Sequence, residues 1–192
     1  MRIGLFGGTF DPIHNAHIDI ARCAKKQYDL DKVIIMPCGN PPHKNTITDK
    51  KIRFRMTEIA IGDEFDVCDY EVLKEEYSYT LVTLMHFKEL YPDDEIFLII
   101  GEDSLKDIEK WYKPKEIVAR CSLLVFPRVS VDTLTEHILR ISSLFGAKIY
   151  PIDSPIIPIS STDIRKMIRN DENVELIVPA EVVRFIKEND VY

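Results

Sequence analysis

The chain has 192 residues, 45% of them hydrophobic, and 25 Lys plus Arg against 32 Asp plus Glu give a net charge of −7. That length suits one domain with a sizeable core. The acidic balance argues against a surface that binds nucleic acid, because such binding rests on phosphate neutralisation by Lys and Arg, and against a basic helix lying on a membrane. A small anionic ligand in a locally basic pocket stays open.

No apolar run approaches the roughly 18 residues of a membrane span. The opening MRIGLFGGTFDP meets Gly7-Gly8 and Asp11-Pro12 too early for a signal-peptide apolar region, so a cytoplasmic location is expected. Cys23, Cys38, Cys68 and Cys121 are widely spaced and form no CxxC, which points to reduced thiols rather than a disulfide framework or a zinc ribbon.

In chain order, residues 2–6 read as a strand and 16–28 as a helix with Ile20, Ala21, Ala24 and Tyr28 at helical spacing. Residues 32–36 are a second strand, followed by a proline-stiffened loop with Gly39. Residues 49–61 place Ile52, Met56, Ile59 and Ala60 on one helical face, capped by Thr48 or Asp49. Residues 65–70 form a weaker strand, and Ser78 or Tyr79 opens a helix holding Leu81, Leu84 and Met85. EIFLII (95–100) is the clearest buried strand. Short helices follow at 104–108 and 114–120, the second with Pro114 in its first turn. Then come strand 122–126, helix 132–145 stopped by Gly146, strand 147–151 and two helices at about 161–169 and 180–188.

Continuous apolar strands alternating with helices argue for a doubly wound parallel sheet in a three-layer α/β/α arrangement. No linker divides residues 1–192, so the helices beyond about residue 160 should pack on the same domain. Ligands in such folds bind beyond the carboxyl ends of the strands. The junctions at 6–17, 36–45, 100–112 and 127–130 are therefore the places to look.

At the first junction a strand runs into GGTFDPIHNAH (7–17). Gly7 and Gly8 let backbone approach a ligand, and the helix that follows turns N–H groups and its positive dipole end toward an anion. His14 and His17 are three apart, share a face of a first helical turn, and could both donate to phosphate oxygens. No GxGxxG and no GxxxxGK[ST] occurs, and the second strand ends in Met36-Pro37 rather than an acid for a ribose. An HxxH pair alone could be half of a metal site, but no HExxH or Cys/carboxylate pattern accompanies it. Near the other end, ISSTDIR (159–165) offers hydroxyls and N–H groups at a helix start, with Arg165 one turn in, where a guanidinium can fork onto phosphate. Read alone, that string is most simply a helix cap.

GGTFDPIHNAH resembles the first signature of the nucleotidyltransferase superfamily that carries an HxGH motif, with Ala16 where that family usually has Gly. ISSTDIR resembles its second signature. PPHK (41–44), SYTLVTL (78–84), GEDSLKDIEKWYK (101–113) and VPAEVVRFI (178–186) extend the likeness over essentially the whole chain, toward the bacterial nicotinate-nucleotide adenylyltransferase family. The resemblance implies a Rossmann-like fold. It implies transfer of the adenylyl group of ATP to nicotinate mononucleotide, with release of pyrophosphate and use of Mg²⁺ held mainly by ATP phosphates. It implies an ATP site of Gly7, Gly8, Thr9, Phe10, His14, His17, Ser161, Thr162 and Arg165. It implies a mononucleotide site of Lys44, Thr80, Asp103, Trp111 and Tyr112, and it puts the catalytic positive charge on His14, His17, Lys44 and Arg165. Glu102 stands where the family often has Ala, and no catalytic consequence is expected of it. Nicotinamide mononucleotide and phosphopantetheine remain alternative acceptors, and self-association into a homo-oligomer stays open. On the residues alone, Lys44 also reads as a solvated loop lysine, Asp103 as a helix cap and Trp111 as a partly buried core residue.

Overall fold

The computed structural model describes residues 1–42, 48–128 and 131–192. His43 and Lys44 lie outside them. Among the described residues the chain forms six strands: β1 (Arg2–Gly8), β2 (Lys32–Pro37), β3 (Asp66–Val67), β4 (Glu95–Gly101), β5 (Ser122–Phe126) and β6 (Ile149–Pro151). All neighbours run parallel, in the order β3-β2-β1-β4-β5-β6. The helices are α1 (Asn15–Gln27), α2 (Lys50–Ile61), α3 (Thr80–Leu90), α4 (Glu102–Lys106), α5 (Pro114–Val118), α6 (Val131–Phe145), α7 (Ser161–Arg169) and α8 (Ala180–Glu188), with a 3-10 turn at Ile108–Lys110.

Side chains alternate between faces along each strand, and both faces are covered. Phe97 and Ile99 face a core built with α1, α2, α7 and α8, while Ile96, Leu98 and Ile100 face one built with α3 to α6. Leu124 and Phe126 join the first core, Leu123 and Val125 the second. That double burial is why these strands read as unbroken apolar runs. The first crossovers lie on one face and the later ones on the other, so the winding reverses between β1 and β4. Residues placed just beyond those two strands meet at the switch point.

Most element positions agree with the sequence reading, and the differences have local causes. β1 runs on through Gly7 and Gly8, which pair with Met36 and Pro37. The expected strand 65–70 shrinks to two residues, because residues 70–73 leave the sheet in a turn in which the Leu73 N–H donates to the Asp69 carbonyl at 3.0 Å. The last strand begins at Ile149 rather than Ala147. α4 starts at Glu102, capped by Gly101, so Asp103 lies inside the first turn and is not the N-cap. Asp49 caps α2, its side chain accepting from the Lys51 N–H at 2.8 Å. Gly146 ends α6 with φ of +66°, a region open to glycine at little cost.

Candidate active site

The first junction does not use its two glycines in the same way. Gly7 is exposed, and a Cβ built there would meet only Met36 Cε, at 3.9 Å. A Cβ on Gly8 would lie 2.7 Å from the Phe10 ring. Gly8 is thus demanded by Phe10, and only Gly7 offers open backbone to a ligand. Phe10 itself has φ of +47°, unusual for a bulky residue. It is held there by burial, its ring edge-on to Phe6 at 5.5 Å and to His17 at 5.0 Å.

His14 is the N-cap of α1, in extended conformation, and His17 is the third residue of the helix. The His14 N–H donates to His17 Nδ1 at 3.3 Å, and the two rings stack with centroids 3.7 Å apart. His14 is buried beneath its neighbour while His17 is half-exposed. Burial, aided by the positive charge of Arg128, lowers the His14 pKa to about 4. Without a bound anion, burial therefore favours the neutral form of His14. The helix N-terminus is also partly used: the Asn15 N–H donates to the Ile177 carbonyl at 2.9 Å, and Asn15 Nδ2 to the Leu176 carbonyl at 3.1 Å.

The second signature joins the first directly. Ser160 and Asp163 form a capping box that starts α7. That start aims Ser161 and Arg165 at the first loop. Ser161 Oγ donates to the Pro12 carbonyl at 2.9 Å, and Arg165 Nη1 to the Asp11 carbonyl at 2.7 Å. Arg165 Nη2 reaches Thr162 Oγ1 at 3.2 Å, and the Asp11 carboxylate lies 3.8 Å from Nη1. Thr162 is exposed beside them.

A residue the sequence reading left out braces the same region. Arg53 sits on the inward face of α2 among apolar neighbours and is fully buried. It donates to the carbonyls of Thr9 at 2.7 Å, Gly39 at 3.0 Å and Thr48 at 3.2 Å. One guanidinium thus ties the loop after β1 to the segments flanking the loop after β2. Its spacing from Met56 was the available signal, an arginine where the helical pattern asks for an apolar residue.

The junctions after β4 and β5 also meet. Glu102 is buried, accepts the Arg128 N–H at 2.9 Å and lies 3.2 Å from His137 Nδ1. Through the Arg128 N–H it helps shape the backbone that presents Arg128, a structural use of Glu102 that the sequence does not signal. Arg128 Nε is 3.6 Å from the exposed carboxylate of Asp103. Arg128 is another cation that the sequence does not single out, although it falls in the junction 127–130. On the α3 side, Thr80 opens the helix, half-buried. The ring of the preceding Tyr79 lies 5.1 Å from that of Tyr112. Trp111, next in line, packs half-buried against the second core. Thr80, Trp111 and Tyr112 thus share one neighbourhood. Lys44, assigned to the same site by resemblance, lies outside the described residues.

A parallel sheet in Rossmann order, with histidines, arginines and helix N-termini gathered where its winding reverses, defines a nucleotidyltransferase-like α/β protein. The chain belongs to the cytidylyltransferase-like family, whose description matches residues 5–167. It is 45% identical over 197 aligned positions to a protein of Clostridium botulinum (strain Eklund 17B / Type B) named "Probable nicotinate-nucleotide adenylyltransferase", covering 100% of this chain and 98% of that one. A protein of Clostridium tetani (strain Massachusetts / E88) with the same name is 40% identical, covering 98% and 97%. Among solved structures, the fold is similar to that of Plasmodium falciparum nicotinic acid mononucleotide adenylyltransferase complexed with NaAD. The TM-score is 0.76 at 21% identity, covering 98% of this chain and 96% of that one.

Proposed function

We propose that this chain transfers the adenylyl group of ATP to nicotinate mononucleotide, forming nicotinate adenine dinucleotide and pyrophosphate in NAD biosynthesis. The observation that carries the reading is the Arg165–Asp11 contact, which brings the guanidinium of the second signature into the loop of the first, at the switch point. The acceptor is taken from the relatives, whose names specify nicotinate nucleotide.

A 5′-phosphate oxygen of the mononucleotide attacks the α-phosphorus of ATP. A new P–O bond forms, the bond from the α-phosphorus to the bridging oxygen breaks, and the electron pair leaves with pyrophosphate. No covalent enzyme intermediate is needed, so catalysis is positioning and charge stabilisation. ATP lies over Gly7, Thr9 and Phe10, with its phosphates toward His17, Ser161, Thr162 and Arg165. Gly8 acts from beneath by making room for Phe10. His14 orients His17 through the stacked pair and, being neutral, adds no charge until an anion arrives. Arg128 and Lys44 supply further positive charge. Thr80, Trp111 and Tyr112 receive the pyridine mononucleotide.

Mg²⁺ takes oxygen ligands and is commonly held by one or two carboxylates plus substrate phosphates. The exposed Asp103 carboxylate suits that use, and among the described residues no group of three or more His, Cys, Asp or Glu could hold a metal without the substrate. When bound, the ion offsets phosphate charge.

Pyrophosphate release from ATP with nicotinate mononucleotide, nicotinamide mononucleotide and phosphopantetheine tests the proposal. Fastest turnover with the nicotinate form is expected. Preference for either other acceptor overturns the acceptor assignment, and no release with any of them overturns adenylyl transfer.

A further inference from the structure

The Asp11 carboxylate is one of the few buried acids in the protein, and what holds it comes from the far end of the chain. After α8 the chain turns back, with the Val191 N–H donating to the Ile186 carbonyl at 3.1 Å and the Val191 side chain buried in the core of the α1 and α2 face. This sets Tyr192 against the first loop. Its hydroxyl donates to Asp11 Oδ1 at 2.9 Å, and the Thr48 side chain lies beside the same phenolic group. Thr48 in turn gives its carbonyl to Arg53. Three segments therefore converge on one hydroxyl: the loop of the first signature, the segment before α2, and the tail behind α8.

We propose that Tyr192 is a positioning residue of the nucleotide site, acting through Asp11 on Arg165. The other oxygen of Asp11 faces Arg165 Nη1, and the Asp11 carbonyl accepts from that same nitrogen. Fixing the carboxylate by one oxygen fixes both the rotamer of Asp11 and the placement of the guanidinium. The effect is on the ATP side, since Thr80, Trp111 and Tyr112 stand on the other face of the sheet, with the α3 to α6 core. Tyr192 touches no substrate. The assignment of Arg165 to ATP rests on the function proposed above, so the test reads nucleotide binding separately from turnover.

The ring of Tyr192 supplies the packing and its hydroxyl the positioning, and Tyr192→Phe separates the two. Binding of ATP and of nicotinate mononucleotide is measured by titration calorimetry for the wild type, Tyr192→Phe, Arg165→Lys and the double variant, with thermal melting alongside. Tyr192→Phe should weaken ATP binding about tenfold, the scale of one lost hydrogen bond to a charged group. Mononucleotide binding should change less than about twofold and the fold should be retained. The double variant should bind ATP no more weakly than Arg165→Lys alone, because the two residues act through one contact. Unchanged ATP binding in Tyr192→Phe, equal losses for both ligands, or strictly additive losses would overturn the proposal. A wild type that binds ATP but transfers adenylate to no acceptor would overturn the proposed reaction and leave this positioning role standing on the binding data.

Discussion

Arg165 Nη1 and the main-chain carbonyl of Asp11 are joined by a 2.7 Å hydrogen bond across 154 positions of sequence. A guanidinium that spends one donor on the loop still has others to offer a phosphate. Its geometry is fixed before substrate arrives, which lowers the cost of ordering it on binding. Arg165→Ala removes both the tie and the charge. We expect kcat/KM for ATP to fall by about 10²–10³, the scale of losing one well-aimed donor in such a site. Arg165→Lys, which keeps charge but not the fork, should recover only part of this. Steady-state kinetics with ATP varied decide it, and a near-normal rate for the alanine variant would remove Arg165 from the machinery.

His17→Ala should cost a similar factor in kcat with the fold unchanged, because His17 is the half-exposed member of the stacked pair. His14 gives a different signature, in stability. Its pKa is about 4 in the folded protein against 6.5 for the ordinary side chain, so between those values the unfolded chain binds more protons. Stability therefore rises with pH from about 4 to 6.5 and is lost as pH falls through that window, by on the order of 3 kcal/mol for this one group. Urea unfolding at a series of pH values should show the slope, and His14→Asn should flatten it. A slope of opposite sign in that window would contradict a buried neutral His14.

The paired glycines separate cleanly. Gly8→Ala puts a methyl against the Phe10 ring at 2.7 Å and should destabilise by about 1–3 kcal/mol, as overpacking does. Gly7→Ala meets nothing nearer than 3.9 Å and should leave stability nearly unchanged, while raising KM for ATP several-fold by standing where the ligand approaches. Thermal melts and ATP kinetics on the two variants would show opposite patterns. Equal stability losses would mean that the loop cannot discriminate between them.

The layered fold was legible because the central strands β1, β2, β4 and β5 are continuous apolar runs buried on both faces, separated by helical periodicity. The two signatures were legible only together, since ISSTDIR alone reads as a helix cap and gains its meaning from the glycines and histidines of the first. What escaped were residues whose meaning is set by distant partners. Glu102 looks like a surface acid in a polar string, yet it is buried against the Arg128 amide and His137. Gly8 reads as ligand space until the left-handed backbone of Phe10 folds the ring back over it. Tyr192 carries no local signal at all, since its partner is Asp11. The neutral state of His14 depends on burial and on Arg128, neither of which is written in a spacing.

Arg53 makes the same point with an energy attached. Its guanidinium is fully buried and satisfies three carbonyls on the segments that frame the site. Arg53→Met fills much of the volume but strands those acceptors. Each unsatisfied buried group costs about 1–3 kcal/mol before relaxation, so a net loss of roughly 3 kcal/mol is expected. For a chain of this size that is a fall of about 6–12 °C in Tm. Both ATP and mononucleotide kinetics should suffer, because Arg53 bridges two loops rather than serving one ligand. A methionine variant as stable as the wild type would mean that the loops hold themselves.

Trp111 is only half-buried. One side packs with the α3 to α6 core, and Tyr112 beside it faces solvent near Tyr79 and Thr80. Trp111→Ala should therefore raise KM for the pyridine mononucleotide about tenfold or more, on the scale of a lost aromatic contact plus its buried area, and leave KM for ATP nearly unchanged. Some stability should go with it, because part of the ring is core. Trp111→Phe restores the packing and a π-face, and should recover both stability and much of the mononucleotide affinity. If both KM values rise together in the alanine variant and Phe restores them together, the tryptophan is structural. Only the split between the two substrates supports stacking on the pyridine ring.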